Sequence, residues 1–119
     1  MPLATIHRTR PLGGLDVSLS TDGPTTVLFL RGEADLATLP IIVEALAGVI
    51  ADRDGDVVVD LAGTDFISTV ALSAILRARS VLAGAERRLT LRSPSAIARR
   101  LLEIVELDHL VTPPPDSGA

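Results

Sequence analysis

A short run that is apolar at almost every position, Val57-Val58-Val59-Asp60-Leu61, constrains the fold of this chain more than any other feature. Apolar residues at consecutive positions are typical of a strand at the centre of a parallel sheet, where both faces are covered. Amphipathic segments with helical spacing precede and follow the run. The first has its apolar stripe at Ile42, Ala45, Leu46, Val49 and Ile50, and the second extends from Thr69 to about Ala83. The pattern predicts a strand between two crossover helices, and therefore an α/β fold.

Two strands are predicted before the first helix. Residues 15–19 alternate between apolar and polar, and a turn at Asp22-Gly23-Pro24 leads to an antiparallel partner at residues 26–30. Thr38 is predicted to cap the first helix, with Pro40 in its first turn. Ile41 lies off the apolar stripe and is expected to be exposed.

The second half of the chain is predicted to add a loop at residues 62–67, a strand at residues 88–92 and a third helix. Ser93 is expected to cap this helix, with Pro94 at its first position. Its expected core stripe is Ile97, Leu101, Ile104 and Val105. Leu110-Val111 either forms a short final strand or packs against the domain. The order is then β-β-α-β-α-β-α, a small α/β sandwich whose mixed sheet has parallel central strands.

One domain is predicted, at residues 15–112. Residues 1–14 have no clear periodicity and are expected to form a loose arm, and the Pro-rich residues 113–119 are expected to be a disordered tail. No apolar run approaches the roughly 18 residues of a membrane span. The start of the chain lacks the apolar core of a signal peptide. The expected location is the cytoplasm, without insertion into a membrane.

Composition excludes several classes of function. The net charge is −4, with 15 acidic and 11 basic residues, and this acidic balance argues against nucleic acid as a partner because phosphate binding needs a basic face. The chain has no Cys and 2 His without ligand spacing, so no metal site is expected. Neither a nucleophile elbow nor a phosphate-binding loop is present. We therefore expect neither an enzyme nor a bound cofactor.

Two groups of carboxylates remain as candidates. Asp52, Asp54 and Asp56 resemble the start of a calcium loop, but the following residues belong to a buried strand, which favours a solvated turn. Glu33 and Asp35 are either a functional carboxylate pair or residues that tie down a loop by accepting backbone N–H bonds. The second interpretation is favoured.

The turn at Ser68-Thr69 is the strongest candidate for a functional site. Sites in parallel α/β sheets lie at the carboxyl ends of strands. The turn also coincides with a predicted helix N-terminus, which favours negative charge, so a phosphate added there would be tolerated by the helix. The alternative is that Ser68 or Thr69 is simply the N-cap residue of the helix.

Three stretches of the chain resemble the STAS domain family, whose members include bacterial anti-sigma factor antagonists. Gly32-Glu33-Ala34-Asp35 resembles the family's Gly-Glu-x-Asp segment, and residues 57–72 resemble its apolar strand and the Ser/Thr turn that follows. Residues 93–107 resemble its last helical unit. The resemblance spans about residues 15–112.

The resemblance implies partner switching. An unphosphorylated antagonist binds an anti-sigma factor, often a serine/threonine kinase of the GHKL type, and phosphorylation at the turn dissociates the complex. Thr69 corresponds to the acceptor, with Ser68 as the alternative. The expected partner-binding residues are Glu33, Asp35, Ile41, Ser68, Thr69, Val70, Ala71 and Ser73. The chain departs from the family where Ser68 replaces an Asp and Ala71 replaces a Gly.

Two other functions stay open from the sequence. The first is a non-phosphorylated STAS subunit that docks on a transporter or a signalling assembly. The second is a sensor of a small ligand or nucleotide, although aromatic residues are only 2% of the chain and offer no stacking platform.

Overall fold

The computed structural model describes residues 6–9 and 14–112. Seven strands, three α-helices and one 3-10 turn form in these residues. In chain order they are β1 (Ile6–Thr9), β2 (Leu15–Asp22), β3 (Thr25–Ala34), α1 (Leu39–Asp52), β4 (Val57–Asp60), β5 (Thr64–Ile67), α2 (Thr69–Gly84), β6 (Leu89–Arg92), α3 (Ala96–Ile104), the 3-10 turn (Asp108–Leu110) and β7 (Val111–Thr112). The tail expected at residues 113–119, and residues 1–5 and 10–13 of the expected arm, lie outside this description.

The sheet is mixed and has the parallel centre that the sequence predicts. Its strand order is β1-β2-β3-β4-β6-β7, and β5 pairs with β3 beside this path. The pairs β1–β2 and β2–β3 are antiparallel. Every pair from β3 onward is parallel. The apolar run at residues 57–61 therefore does lie at the centre, between β3 and β6.

Part of the expected loose arm is a strand. Residues of β1 pair with β2 from Ile6 opposite Leu19 to Thr9 opposite Asp16. Without β1, the outer edge of β2 would present unpaired backbone N–H and C=O groups. The arm has no alternating apolar pattern of its own. Its strand was therefore not predictable locally, because it forms by pairing with β2.

The expected loop at residues 62–67 contains β5, which extends the sheet past the end of β4. The first half of β3 pairs with β4 and its second half pairs with β5, with a register shift between Gly32 and Glu33. Gly32 has φ +115°, and a Cβ there would lie 1.9 Å from the Gly14 carbonyl oxygen, so only glycine fits. The buried Thr64 hydroxyl donates to the Leu30 carbonyl at 2.7 Å and fastens the start of β5.

One apolar core joins the helices to the sheet. α1 contacts β2, β3 and α2, while α2 contacts β6 and α3 contacts β5. The core includes Ile41, which is 7% exposed, so its expected exposure is wrong. Ile41 lies only about 40° of helical rotation beyond Ala45, and the apolar face of α1 is wide enough to include it.

The expected core stripe of α3 is also wrong. Ala98 and Leu102 are the buried residues of this helix, whereas Ile97 and Ile104 are 50% and 70% exposed and Val105 is exposed just after its end. Leu101 is only partly buried. The helix begins two residues later than expected, because Ser95 rather than Ser93 is its N-cap and accepts the Ala98 N–H at 3.2 Å. Ser95 also donates to the Thr64 carbonyl at 2.6 Å, which fixes the angle at which α3 meets β5.

Candidate functional site

The turn between β5 and α2 separates the roles of two adjacent hydroxyl residues. Ser68 has an extended backbone and is the N-cap of α2, where its Oγ accepts the Ala71 N–H at 3.2 Å. Thr69 is the first residue of the helix and is exposed. The cap interpretation of the turn is therefore correct for Ser68, and the Thr69 side chain lies at the surface.

The loop between β3 and α1 is held by reciprocal hydrogen bonds. The Asp35 Oδ1 accepts the Thr38 N–H at 3.0 Å, and the Thr38 Oγ1 accepts the Asp35 N–H at 3.0 Å. The Thr38 hydroxyl also donates to the Glu33 carbonyl at 2.8 Å. Asp35 therefore ties down a loop, as favoured from the sequence. Thr38 stands at the N-cap position of α1 without capping it, because its hydroxyl faces back into this loop.

The sheet brings the loop and the turn together. Phe66 pairs with Glu33 and Ile67 pairs with Ala34, and the Ser68 N–H then donates to the Ala34 carbonyl at 2.9 Å. Glu33 and Asp35 flank Ala34 in the chain and so lie beside the start of α2. This surface, called the turn surface below, has the members Glu33, Asp35, Ser68, Thr69, Val70 and Ser73.

Six of the eight expected partner-binding residues belong to the turn surface. Glu33, Thr69, Val70 and Ser73 are exposed, and Asp35 and Ser68 are half-buried. Ile41 and Ala71 do not belong to it, because both side chains are buried in the core. Ala71 lies one helical turn before Ile75 on the side of α2 that faces the sheet, so its methyl group cannot meet a partner.

Two apolar residues near the turn surface were not predicted. Leu36, in the loop after β3, is 70% exposed, and Phe66, opposite Glu33 in β5, is 47% exposed. With Val70, which is 42% exposed, they add apolar area to an otherwise polar region. Leu36 had a usable signal, since it is a large apolar residue inside a polar loop. Phe66 had none, because its strand was not predicted.

An ion pair joins the last residues of the neighbouring central strands β4 and β6. The Arg92 Nε donates to the Asp60 Oδ2 at 2.8 Å, and the Asp60 Oδ1 accepts the Ala62 N–H at 3.0 Å. The guanidinium groups of Arg31 and Arg92 also lie 4.9 and 5.7 Å from the centroid of the Phe29 ring. These contacts fix the point where β4 ends and the chain crosses to β5.

The structure gives no support to metal chemistry at the sites considered. Among the described residues, no three His, Asp or Glu side chains gather as ligands for an ion. Asp56, the last residue of the calcium-like segment, accepts the Arg88 N–H at 2.9 Å.

Within residues 6–9 and 14–112, no helix has both the length and the hydropathy needed to cross a membrane.

Fold and site together define a small α/β domain that presents one strand-to-helix turn, with an exposed hydroxyl and nearby carboxylates, at its surface. The chain belongs to the STAS domain family, because the family model described as "Mlab, STAS domain" matches residues 17–112. It is also 30% identical over 94 residues to the anti-sigma-F factor antagonist RsfB of Mycobacterium tuberculosis, a match that covers 79% of this chain and 76% of RsfB.

Solved structures agree in fold. An anti-sigma factor antagonist from Mycobacterium paratuberculosis superimposes with a TM-score of 0.77 at 23% identity, covering 92% of this chain and 93% of that one. SpoIIAA in its unphosphorylated form gives a TM-score of 0.71 at 17% identity, covering 84% and 89%. The Bacillus SpoIIAA in its phosphorylated form gives 0.66 at 17% identity, covering 84% and 92%.

Proposed function

We propose that this protein is an anti-sigma factor antagonist, which binds an anti-sigma factor through the turn surface. The match to RsfB over most of both chains supports this function. The observation that carries the choice of surface is the exposed start of α2 beside the loop that holds Glu33 and Asp35. Rigid neighbouring segments lower the entropy lost on binding, and both segments are held by hydrogen bonds.

The chemistry of the surface suggests what the partner presents. Glu33 and Asp35 contribute negative charge, and Leu36, Phe66 and Val70 contribute exposed apolar area. Interfaces of this kind combine an apolar centre with charged residues that steer association. The partner surface should therefore offer Arg or Lys near Glu33 and an apolar recess for Val70.

Binding is tested with purified anti-sigma factors from the organism that encodes this protein. Each is immobilised and exposed to the wild type, to Glu33→Arg and to Glu86→Arg. Glu86 is exposed beyond the far end of α2, so it controls for the change of charge. Capture of the wild type and Glu86→Arg, with loss of Glu33→Arg, supports the proposal. Failure of every anti-sigma factor to capture the wild type would overturn it.

Phosphorylation of Thr69 is the second part of the proposal. Thr69 is exposed, whereas the Ser68 Oγ is occupied as an acceptor for the Ala71 N–H, so Thr69 is the more available nucleophile. A phosphate there would lie at a helix N-terminus, where the first N–H groups lack intrahelical acceptors. It would add about −1.5 to −2 charges and extra bulk next to the exposed Val70, and the apolar recess expected opposite Val70 cannot solvate a phosphate, so the partner would dissociate.

The expected kinase is the anti-sigma factor itself, of the serine/threonine GHKL type. Incubation of the purified pair with ATP, followed by peptide mass spectrometry, should locate one phosphate on Thr69. The variant Ser68→Ala should still be modified, and Thr69→Ala should not. Modification at Ser68 alone would contradict the assignment of Thr69. Stable binding without modification would remove the switch and keep the antagonist role.

A further inference from the structure

A cavity lies at the end of α2 that is remote from the turn surface. α2 starts at the carboxyl edge of the sheet and ends before β6 begins at the opposite edge, and the cavity is beside that end. It has a volume of about 380 Å³ and lies between the last turns of α2, the start of β6 and the 3-10 turn. β7 pairs with Leu91 and Arg92, so the cavity adjoins the part of β6 that precedes this pairing.

The lining of this cavity is unusually basic for an acidic chain. Arg79, Arg87, Arg88 and His109 all contribute to it, and in the part of the chain that the structure describes no Asp or Glu does. The chain as a whole has more acidic residues than basic ones, 15 against 11. A lining with three Arg and no carboxylate therefore has the opposite sign of charge from the chain. Such a site attracts an anion.

The Arg87 guanidinium is held by backbone carbonyls, and among the described residues it forms no ion pair with a carboxylate. Its Nε donates to the Gly55 carbonyl at 2.8 Å, and its Nη1 donates to the Ile50 carbonyl at 3.1 Å. Its Nη2 is buried and has no hydrogen-bond partner in the described residues. The fixed charge of Arg87 therefore adds to the positive potential at the cavity, and the exposed side chains of Arg79 and Arg88 are the ones available to contact a ligand.

We propose that this cavity binds a small ligand that carries a phosphate group. Guanidinium groups match phosphate oxygens in geometry and charge, and three Arg residues line the space, of which Arg79 and Arg88 are exposed. The hydroxyl groups of Ser80 and Thr90, which also line it, provide further donors. The negative end of the α2 dipole is near, so the Arg side chains rather than the helix must supply the attraction.

The test is a titration of the whole protein with inorganic pyrophosphate at constant ionic strength, followed by amide chemical shifts. Saturable shifts are expected at Ser80, Arg88, Thr90 and His109, with the turn surface unchanged. The double variant Arg79→Gln/Arg88→Gln should weaken binding by about tenfold or more. The fold contact of Arg88 survives the change, because its backbone N–H, and not its guanidinium, bonds to Asp56.

The matched control is Arg99→Gln/Arg100→Gln, which removes the same charge from exposed positions on α3. It should bind pyrophosphate like the wild type. Equal weakening in both double variants, or no saturable shift up to about 10 mM pyrophosphate, would overturn the proposal. If the double variant melts early, the single change at the exposed Arg79 gives the same comparison. The cavity shares no residue with the turn surface, so either proposal can fail alone.

Discussion

At the scale of single residues, Ser68 and Thr69 show how two neighbouring hydroxyl groups acquire different roles. Ser68 lies before the helix in an extended conformation, from which its Oγ reaches the Ala71 N–H. Thr69 already has helical geometry, so its side chain points outward from the first turn. The division of roles depends on where α2 begins, because a start one residue later would make Thr69 the N-cap residue.

The first prediction concerns this cap. Ser68→Ala should lower the free energy of unfolding by about 1 kcal/mol, because the Ala71 N–H loses its acceptor. Thr69→Ala should change it by less than about 0.5 kcal/mol, as is usual for an exposed position. Urea denaturation of the two variants measures both values. A larger loss for Thr69→Ala than for Ser68→Ala would contradict the assignment of the cap.

The second prediction concerns the ion pair of Asp60 and Arg92. The Asp60 side chain is 10% exposed and that of Arg92 is 39% exposed, so water partly screens the pair. A double-mutant cycle with Asp60→Ala and Arg92→Ala should give a coupling energy of about 1 kcal/mol. The same cycle between Asp60→Ala and Arg99→Ala is the control, because the Asp60 carboxylate pairs with Arg92 and not with Arg99. Equal coupling energies in the two cycles would contradict the prediction, because the ion pair of Asp60 and Arg92 would then contribute no stability of its own.

At the scale of elements, α3 shows what an apolar pattern leaves undetermined. The helix has apolar residues on more than one side, and periodicity alone does not say which side faces the sheet. The bond from Ser95 to the Thr64 carbonyl sets its orientation, so Ala98 and Leu102 face inward. Ile97 and Ile104 remain at the surface.

The third prediction follows from that orientation. Leu102→Ala should destabilise the fold by about 2–5 kcal/mol, because it removes a buried side chain. Ile104→Gln should change the free energy of unfolding by less than about 0.5 kcal/mol, since Ile104 is already in water. Thermal or urea unfolding distinguishes the two. If Ile104→Gln lowered the free energy of unfolding as much as Leu102→Ala, Ile104 would have to be buried, as the sequence predicted, and the observed orientation of α3 would be contradicted.

At the scale of the whole molecule, the sequence was sufficient for the elements that carry their own pattern. β4 is apolar at every position except Asp60, and α1 and α2 have clear stripes, so their positions and the parallel centre were predictable. β1 and β5 were missed because their order comes from pairing with β2 and β3, which are remote in sequence. For the turn surface, the resemblance indicated residues that the fold brings together, and only the packed structure shows that Ile41 and Ala71 are buried and that Leu36 and Phe66 are exposed.

The central claim is that a partner binds the turn surface and that negative charge at Thr69 releases it. The most direct measurement is calorimetry of the anti-sigma factor that captures the wild type, which gives its affinity for Thr69→Glu, Thr69→Ala and Ser80→Glu. Ser80 is exposed on the same helix, near its other end, and controls for added charge. Thr69→Glu should weaken binding by about tenfold or more, with the other two near the wild type. Equal affinity for Thr69→Glu and Ser80→Glu would contradict the claim.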